Sequence, residues 1–400
     1  MGSEKQETGK SVVERLWTGD FVKLNIGNFM LFTSFYLLMP LLPIYLSETF
    51  GAGKHTIGAV LSGYTVMALI ARPIAGYIVD SYNRRKVLIL VYTLFAALFA
   101  GYMMVGTILA FAVLRTLHGG PFGATTVANS TSAIDSLLPT RRAEGIGYYG
   151  LSNNLAMATA PSLAIWIYHA TGSFDILFAT SFGIALVGLT VVCTAKQANR
   201  PPKSDRHISL DRFFLVDGWR EAVVMMALSS SYGVLSTYIA IYSQQELGMT
   251  ESSGTWFMLL AVGLMVSRLI GGRTLRQGKA KENAQWGMTL SMIGYFVFAM
   301  SSGGVSYYAS ALIIGLGNGH MFPGMQTLFI NMTTPSRRGT ANATQLTAWD
   351  AGIGLGVVLG GALAETFGYG PAFWTAAIID TAGVAYFWVA VRNRKTKTKA

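Results

Sequence analysis

Long, nearly uninterrupted apolar runs limit the fold of this chain more than any other feature. Twelve of them follow one another, at about 21–47, 56–79, 86–107, 109–137, 144–170, 174–195, 220–245, 253–273, 284–304, 306–333, 340–366 and 371–391. Each is close to or longer than the roughly 20 residues an α-helix needs to cross a hydrocarbon core. Glycine and proline interrupt several runs, which membrane helices tolerate better than soluble ones. A β-barrel would instead show short segments of alternating polarity. The expected fold is an all-α integral membrane protein with twelve transmembrane helices. Only 12% of the residues are charged and 52% are hydrophobic, whereas soluble chains carry about 25% charged residues. That balance excludes a disordered chain, a soluble enzyme and a receptor with a large ectodomain.

The charges that remain are sorted by position. With the N-terminus inside, 26 of the 30 lysines and arginines fall in the tails and loops of one face. Arg72, Arg115 and Arg268 lie within spans, and only Lys54 falls on the other face. The positive-inside bias predicts that both termini are cytoplasmic and that the protein is multi-pass in the cytoplasmic (inner) membrane. The net charge of +11 then faces anionic lipid, and no nucleic acid is needed to explain it. Residues 1–20 lack the basic-then-apolar pattern of a secretory signal and read as a cytoplasmic tail, helical in part from Ser11. The lone Cys193 rules out an internal disulfide and a cysteine zinc site.

The chain also repeats itself at an offset of 196 residues. Asp135-Ser-Leu-Leu-Pro139-Thr-Arg141-Arg142 returns as Asn331-Met-Thr-Thr-Pro335-Ser-Arg337-Arg338. Gly119 and Gly123 return as Gly315 and Gly319, and Arg72-x-x-x-Gly76 returns as Arg268-x-x-x-Gly272. Two pseudo-symmetric six-helix bundles follow, at 21–195 and 220–391, with a cytoplasmic linker at 196–219 and a tail at 392–400. Paired halves around a midplane cavity are a transporter architecture, in which rocking opens the cavity to each side in turn.

The residues at the ends of these repeats carry a family resemblance. Gly76-Tyr-Ile-Val-Asp80-Ser-Tyr-Asn83-Arg84-Arg85-Lys86 resembles the G-x-x-x-D-x-x-G-R-R-x signature between spans two and three of the major facilitator superfamily. Leu114-Arg115-Thr-Leu-His118-Gly119-Gly-Pro-Phe-Gly123 resembles its span-four motif, and Pro40-Leu-Leu-Pro43 is similar to the twelve-span drug/proton antiporter branch. The resemblance covers about 21–391. Three positions depart from the pattern: Asn83 replaces a glycine, Ala160-Pro161-Ser-Leu-Ala164 stands for Gly-Pro-x-x-Gly, and Arg276 occupies the second copy of the Asp80 position. The resemblance implies that Asp80 sits at the N-terminus of span eleven, in a charge network latching the outward-open state. It also implies that Arg115 serves proton coupling, and that spans one, four, seven and ten surround the cavity.

Individual residues then divide by depth and chemistry. Arg72, Gly76, Asp80, Arg84, Arg268 and Gly272 form the expected inner gate, although Arg72 and Arg268 could equally snorkel to headgroups. Asp350 lies about 16 Å into span eleven. A carboxylate there either loads a proton or is permanently paired, with Arg268 or another inner arginine. Its repeat partner is Asn154. Arg115 is the candidate counter-charge. His118, one turn on, is either a relay or a packed core residue. Asn28, Tyr36, Asn153, Asn154, Ser230, Tyr232, Tyr238, Asn318, His320 and Gln326 are candidates for a mixed polar and aromatic cavity lining, each with helix–helix bonding as its alternative.

No phosphate-binding G-x-x-x-x-G-K-[ST] and no H-E-x-x-H occurs, so neither an ATP-driven pump nor a metalloenzyme is indicated. The expected function is secondary active transport by alternating access, as proton-coupled efflux of a small organic or drug-like compound. A sugar or metabolite carrier and a membrane-embedded sensor or lipid-handling protein are the alternatives. No enzyme activity, metal or cofactor is expected beyond a proton gradient, or a sodium one. The expected partners are a small-molecule substrate and the lipid bilayer, with the chain monomeric.

Overall fold

The computed structural model describes residues 15–196, 210–249 and 252–392. Among these residues there are helices and turns and no strand. The first half holds α1 (Gly19–Leu38), α2 (Leu42–Phe50), α3 (Lys54–Ser81), α4 (Arg84–Tyr102), α5 (Ile108–Asp135), α6 (Arg142–Thr171) and α7 (Phe174–Cys193). A short α8 (Leu210–Phe213) precedes the second half. That half holds α9 (Trp219–Gln245), α10 (Ser252–Arg276), α11 (Ala280–Ala299), α12 (Gly304–Asn331), α13 (Arg338–Phe367) and α14 (Tyr369–Tyr386), and a π-helical turn runs on to Arg392. With α1 and α2 counted as one span, these make twelve spans in two six-helix bundles.

Two local departures have simple causes. The first span is one apolar run but two helices, because Pro40 falls in the turn between α1 and α2 and Pro43 sits in the first turn of α2. Proline supplies no backbone N–H and clashes with the preceding turn, so the helix restarts there. The expected helix from Ser11 is not continuous: residues 15–18 are not helical, and 11–14 lie outside the described residues. α1 begins where the Thr18 hydroxyl accepts a hydrogen bond from the Phe21 N–H at 3.3 Å. Most of the linker and C-terminal tail, at 197–209 and 393–400, is also outside the described residues.

The repeat is exact in register over much of its length. Adding 196 to the bounds of α5, of the 3₁₀ turn Pro139–Arg141 and of α6 gives α12, the turn Pro335–Arg337 and α13. Eight spans are apolar enough to cross a membrane on composition alone; α5, α6, α11 and α12 are not among them. Many of their polar residues are buried in protein. Asn129, Ser130 and Thr131 are buried in α5, Asn154 in α6, Asn283 and Ser291 in α11, and Asn318 and Gln326 in α12. Each bundle has its own aromatic core, with Tyr92, Phe95, Phe99 and Tyr102 in the first and Trp256, Phe298, Tyr307 and Phe373 in the second.

Between bundles, α3 packs on α13 and α6 on α10. The first crossing depends on Gly76, where a Cβ would lie 2.7 Å from that of Ala343 and 3.0 Å from the Gly339 carbonyl oxygen. Only a residue without a side chain lets the backbones meet there.

Candidate functional site

A cavity of about 330 Å³ lies between the bundles, lined from both halves by α1, α3, α5, α6, α9, α10, α12 and α13. Its walls are mostly apolar and aromatic: Phe32, Phe35, Tyr64 and Phe122 on one side, Phe322 and Trp349 on the other. Tyr36 and Tyr232, repeat partners at the 196 offset, face it together. The polar lining is sparse and consists of Arg72, Asn153, Asn154, Arg268, Asn318 and Asp350, with the Thr65 hydroxyl. A greasy space with a few placed polar groups is the usual form of a small-molecule site.

The one ion pair in that lining joins the two bundles. Arg72 of α3 pairs through Nη1 with a carboxylate oxygen of Asp350 on α13 and also donates to the Leu346 carbonyl at 3.1 Å. Both side chains are largely buried, 7% and 17% exposed, so water screens the pair weakly. The counter-charge of Asp350 is therefore Arg72. It is one of the inner arginines expected for that place; Arg115 and Arg268, the two named candidates, make no pair with Asp350.

Arg115 is 2% exposed inside the first bundle. Its guanidinium lies 4.0 Å from the Tyr64 ring centroid, and Nη1 donates to the Tyr102 hydroxyl at 3.4 Å. That hydroxyl also bonds His118 Nδ1 at 2.9 Å. Tyr64 thus separates Arg115 from the cavity, and His118 is enclosed by aromatic rings of its own bundle, Phe95 and Phe99 among them. The structure does not bring Arg115, His118 and Asp350 together.

Of the other expected lining residues, five turn into helix contacts. Asn28 accepts from the Tyr149 hydroxyl at 2.7 Å and donates to Ser152 at 2.8 Å. The Ser230 backbone packs against Gly356. The Tyr238 hydroxyl donates to the Val357 carbonyl at 2.8 Å. His320 Nδ1 bonds Asn283 at 3.0 Å. Gln326 donates to Asn342 at 2.8 Å, and Asn342 in turn donates to Ser130 across the bundles.

Towards the end of the molecule that carries the basic loops, the halves are held by charge. Asp80, at the end of α3, accepts from the Gly339 N–H at 2.9 Å, the Thr340 N–H at 2.7 Å and the Thr340 hydroxyl at 2.9 Å. A carboxylate there caps the N-terminus of α13 and meets its dipole. Arg84 donates to Asp80 at 2.9 Å, pairs with Asp135 and bonds the Pro335 carbonyl at 2.8 Å. Arg338 reaches Asp135 at 2.5 Å from the other half.

A second contact follows from the repeat with its polarity exchanged. Arg276, the second copy of the Asp80 position, lies 3.7 Å from Glu144, the first copy of the Thr340 position. Glu144 is also held by Arg141 at 2.7 Å, and Gly272 lies beside it. In the sequence Arg276 stands out only as a departure from the family pattern, and Glu144 belongs to none of the motifs. Applying the 196 offset to Asp80 and Thr340 together would have found the pair.

The Major Facilitator Superfamily profile matches residues 24–308 and 284–400. The staphylopine export protein of Staphylococcus aureus (strain Mu50) is 22% identical over 374 residues, covering 87% of this chain and 90% of that protein. The multidrug resistance efflux pump PmrA of Streptococcus pneumoniae (strain TIGR4) is 24% identical over 371 residues, covering 88% and 91%. In fold, the chain is similar to the transporter FucP in its outward conformation, with a TM-score of 0.75 at 16% identity over 93% of this chain and 98% of that one. Two repeated six-helix bundles, a cavity between them and a match along nearly the whole length lead to one conclusion: the chain belongs to the Major Facilitator Superfamily and is a multi-pass membrane transporter, not an enzyme.

Proposed function

We propose that this transporter exports a small organic compound in exchange for protons, by alternating access, from the cytoplasmic (inner) membrane with both termini in the cytoplasm. The observation that carries the reading is the Arg72–Asp350 pair, which spans the two bundles at the cavity. While Asp350 is charged, the pair ties α3 to α13. A proton on Asp350 removes the negative charge and the tie, so that loading and bundle separation are one event. A buried carboxylate suits this role because its charged form is costly once the partner moves away. Relatives with export and efflux in their names support the direction, and the 26 basic residues on one face support the orientation.

The test is reconstitution in liposomes with an imposed pH gradient, wild type beside Asp350→Asn. Wild type should accumulate a test substrate only with the gradient. The variant should lose driven accumulation by at least about tenfold while keeping binding and exchange, as expected when a coupling step and not uniform binding is removed. Loss of binding and folding together would make Asp350 a structural acid. Accumulation driven by sodium and indifferent to pH would replace the proton with a metal cation.

A further inference from the structure

Arg268 is the repeat partner of Arg72, yet it has no acid. It is 6% exposed, lines the cavity, and makes no hydrogen bond or ion pair among the described residues. Its Nε and Nη1 are both buried and unpartnered. The guanidinium lies against Gly150, where a Cβ would fall 3.0 Å from Nη2, so that glycine makes its room. Across the cavity the symmetry is broken at one atom type. Arg72 meets Asp350, whereas the position that mirrors Asp350 is Asn154. Asn154 lines the same cavity with an unpartnered Nδ2, a further donor and not a counter-charge.

Of the three charged groups in the cavity lining, two are cationic and one anionic, and the anion is already engaged. A buried guanidinium with free donors is costly in a membrane interior unless something answers its charge. No described residue does so here. We propose that the answering group is the substrate: the transporter takes a small organic anion, its carboxylate or phosphate on Arg268 and its ring or apolar body against Tyr36, Tyr232 and Trp349. Guanidinium presents paired donors that fit a planar carboxylate or a phosphate. A volume of about 330 Å³ suits a compound of one or two rings. The proposal rests on reading this cavity as the transported compound's site, and it adds the substrate's charge to that reading.

The test is equilibrium binding by calorimetry in nanodiscs of zwitterionic lipid, with no ion gradient. The probes are matched pairs: benzoate with benzamide, 2-naphthoate with 2-naphthamide, and 1-naphthyl phosphate with 1-naphthol. At least one anion should bind at least about tenfold more tightly than its neutral mate, the effect of one charge-assisted contact. Arg268→Gln should abolish that preference. Asn154→Asp, which supplies the missing carboxylate from the protein, should abolish it as well in a chain with an intact fold. Equal affinity for every acid and its neutral mate, no binding of any anion, or an undiminished preference in Asn154→Asp would overturn the proposal. Repetition with anionic phosphatidylglycerol separates the two sources of the group: competition by lipid against every probe, with no anion preference in its absence, assigns Arg268 to a headgroup and also overturns it. Since no gradient is applied, failure here is distinct from failure of proton coupling.

Discussion

His118 is held inside the first bundle by a hydrogen bond to the Tyr102 hydroxyl and by rings whose centroids lie 4.6 Å (Phe99) and 4.9 Å (Phe95) away. A phenyl ring fills nearly the same volume. His118→Phe should therefore keep pH-driven transport within about twofold and lower stability by about 1 kcal/mol for the lost hydrogen bond, read as thermal stability in detergent. If it lost the pH response as fully as Asp350→Asn, the transported proton would have to pass through His118. The same residue shows what was legible from sequence. Depth was readable, because 1.5 Å per residue places any position along a helix. The direction a side chain faces was not, because these helices are apolar all round, with lipid, core and cavity each tolerating the same residues. Asn28 and Tyr36 lie two turns apart on α1; one bonds Tyr149 and the other faces the cavity. The offset separates them, since Tyr36 repeats as Tyr232 whereas Asn28 repeats as Val224.

Helix ends carry the charged contacts between the bundles. The N-terminus of α13 would leave its first N–H groups unpaired at a buried interface, and Asp80 from α3 satisfies two of them. Asp80→Asn keeps the shape and removes the charge. The lost interaction with the helix end is about 1–2 kcal/mol, a shift of about five- to thirtyfold between closed and open forms at this end. The reporter is Ile146→Cys in a Cys193→Ser background. Ile146 is 2% exposed and packs in a cluster formed mainly by the second bundle. Its labelling by a maleimide should quicken several-fold in Asp80→Asn; an unchanged rate would leave Asp80 with no part in closure. The element pattern was readable because apolar runs alternate with short polar loops and the 196-residue repeat carries the assignment across the less apolar spans. The break in the first span was not anticipated, because Pro40 and Pro43 sit in a run that composition alone reads as one helix.

At the scale of the whole molecule, alternating access requires the two bundles to part where they now touch. The contacts that must break include the Arg72–Asp350 pair, the Asn342–Ser130 bond, the Asp80 cap on α13, the Arg338–Asp135 pair and the Glu144–Arg276 pair. They run from the cavity to the basic end, so this structure is closed along that stretch. Each bundle has its own buried core, and packed cores move as bodies instead of deforming. A covalent tie between residues 144 and 276 should then stop transport without unfolding either bundle. The experiment is Glu144→Cys with Arg276→Cys in a Cys193→Ser background, treated with a short, charged, membrane-impermeant cross-linker that carries two thiol-reactive groups. The single-cysteine chains are the controls, because they lose the same ion pair and cannot be bridged. With the basic end cytoplasmic, the reagent should abolish transport in inverted membrane vesicles and spare it in intact cells. Inhibition of cells and not of vesicles would reverse the topology. A completed bridge with transport intact would mean that α6 and α10 never separate at this end, and rocking of the bundles about the cavity would fail as the mechanism.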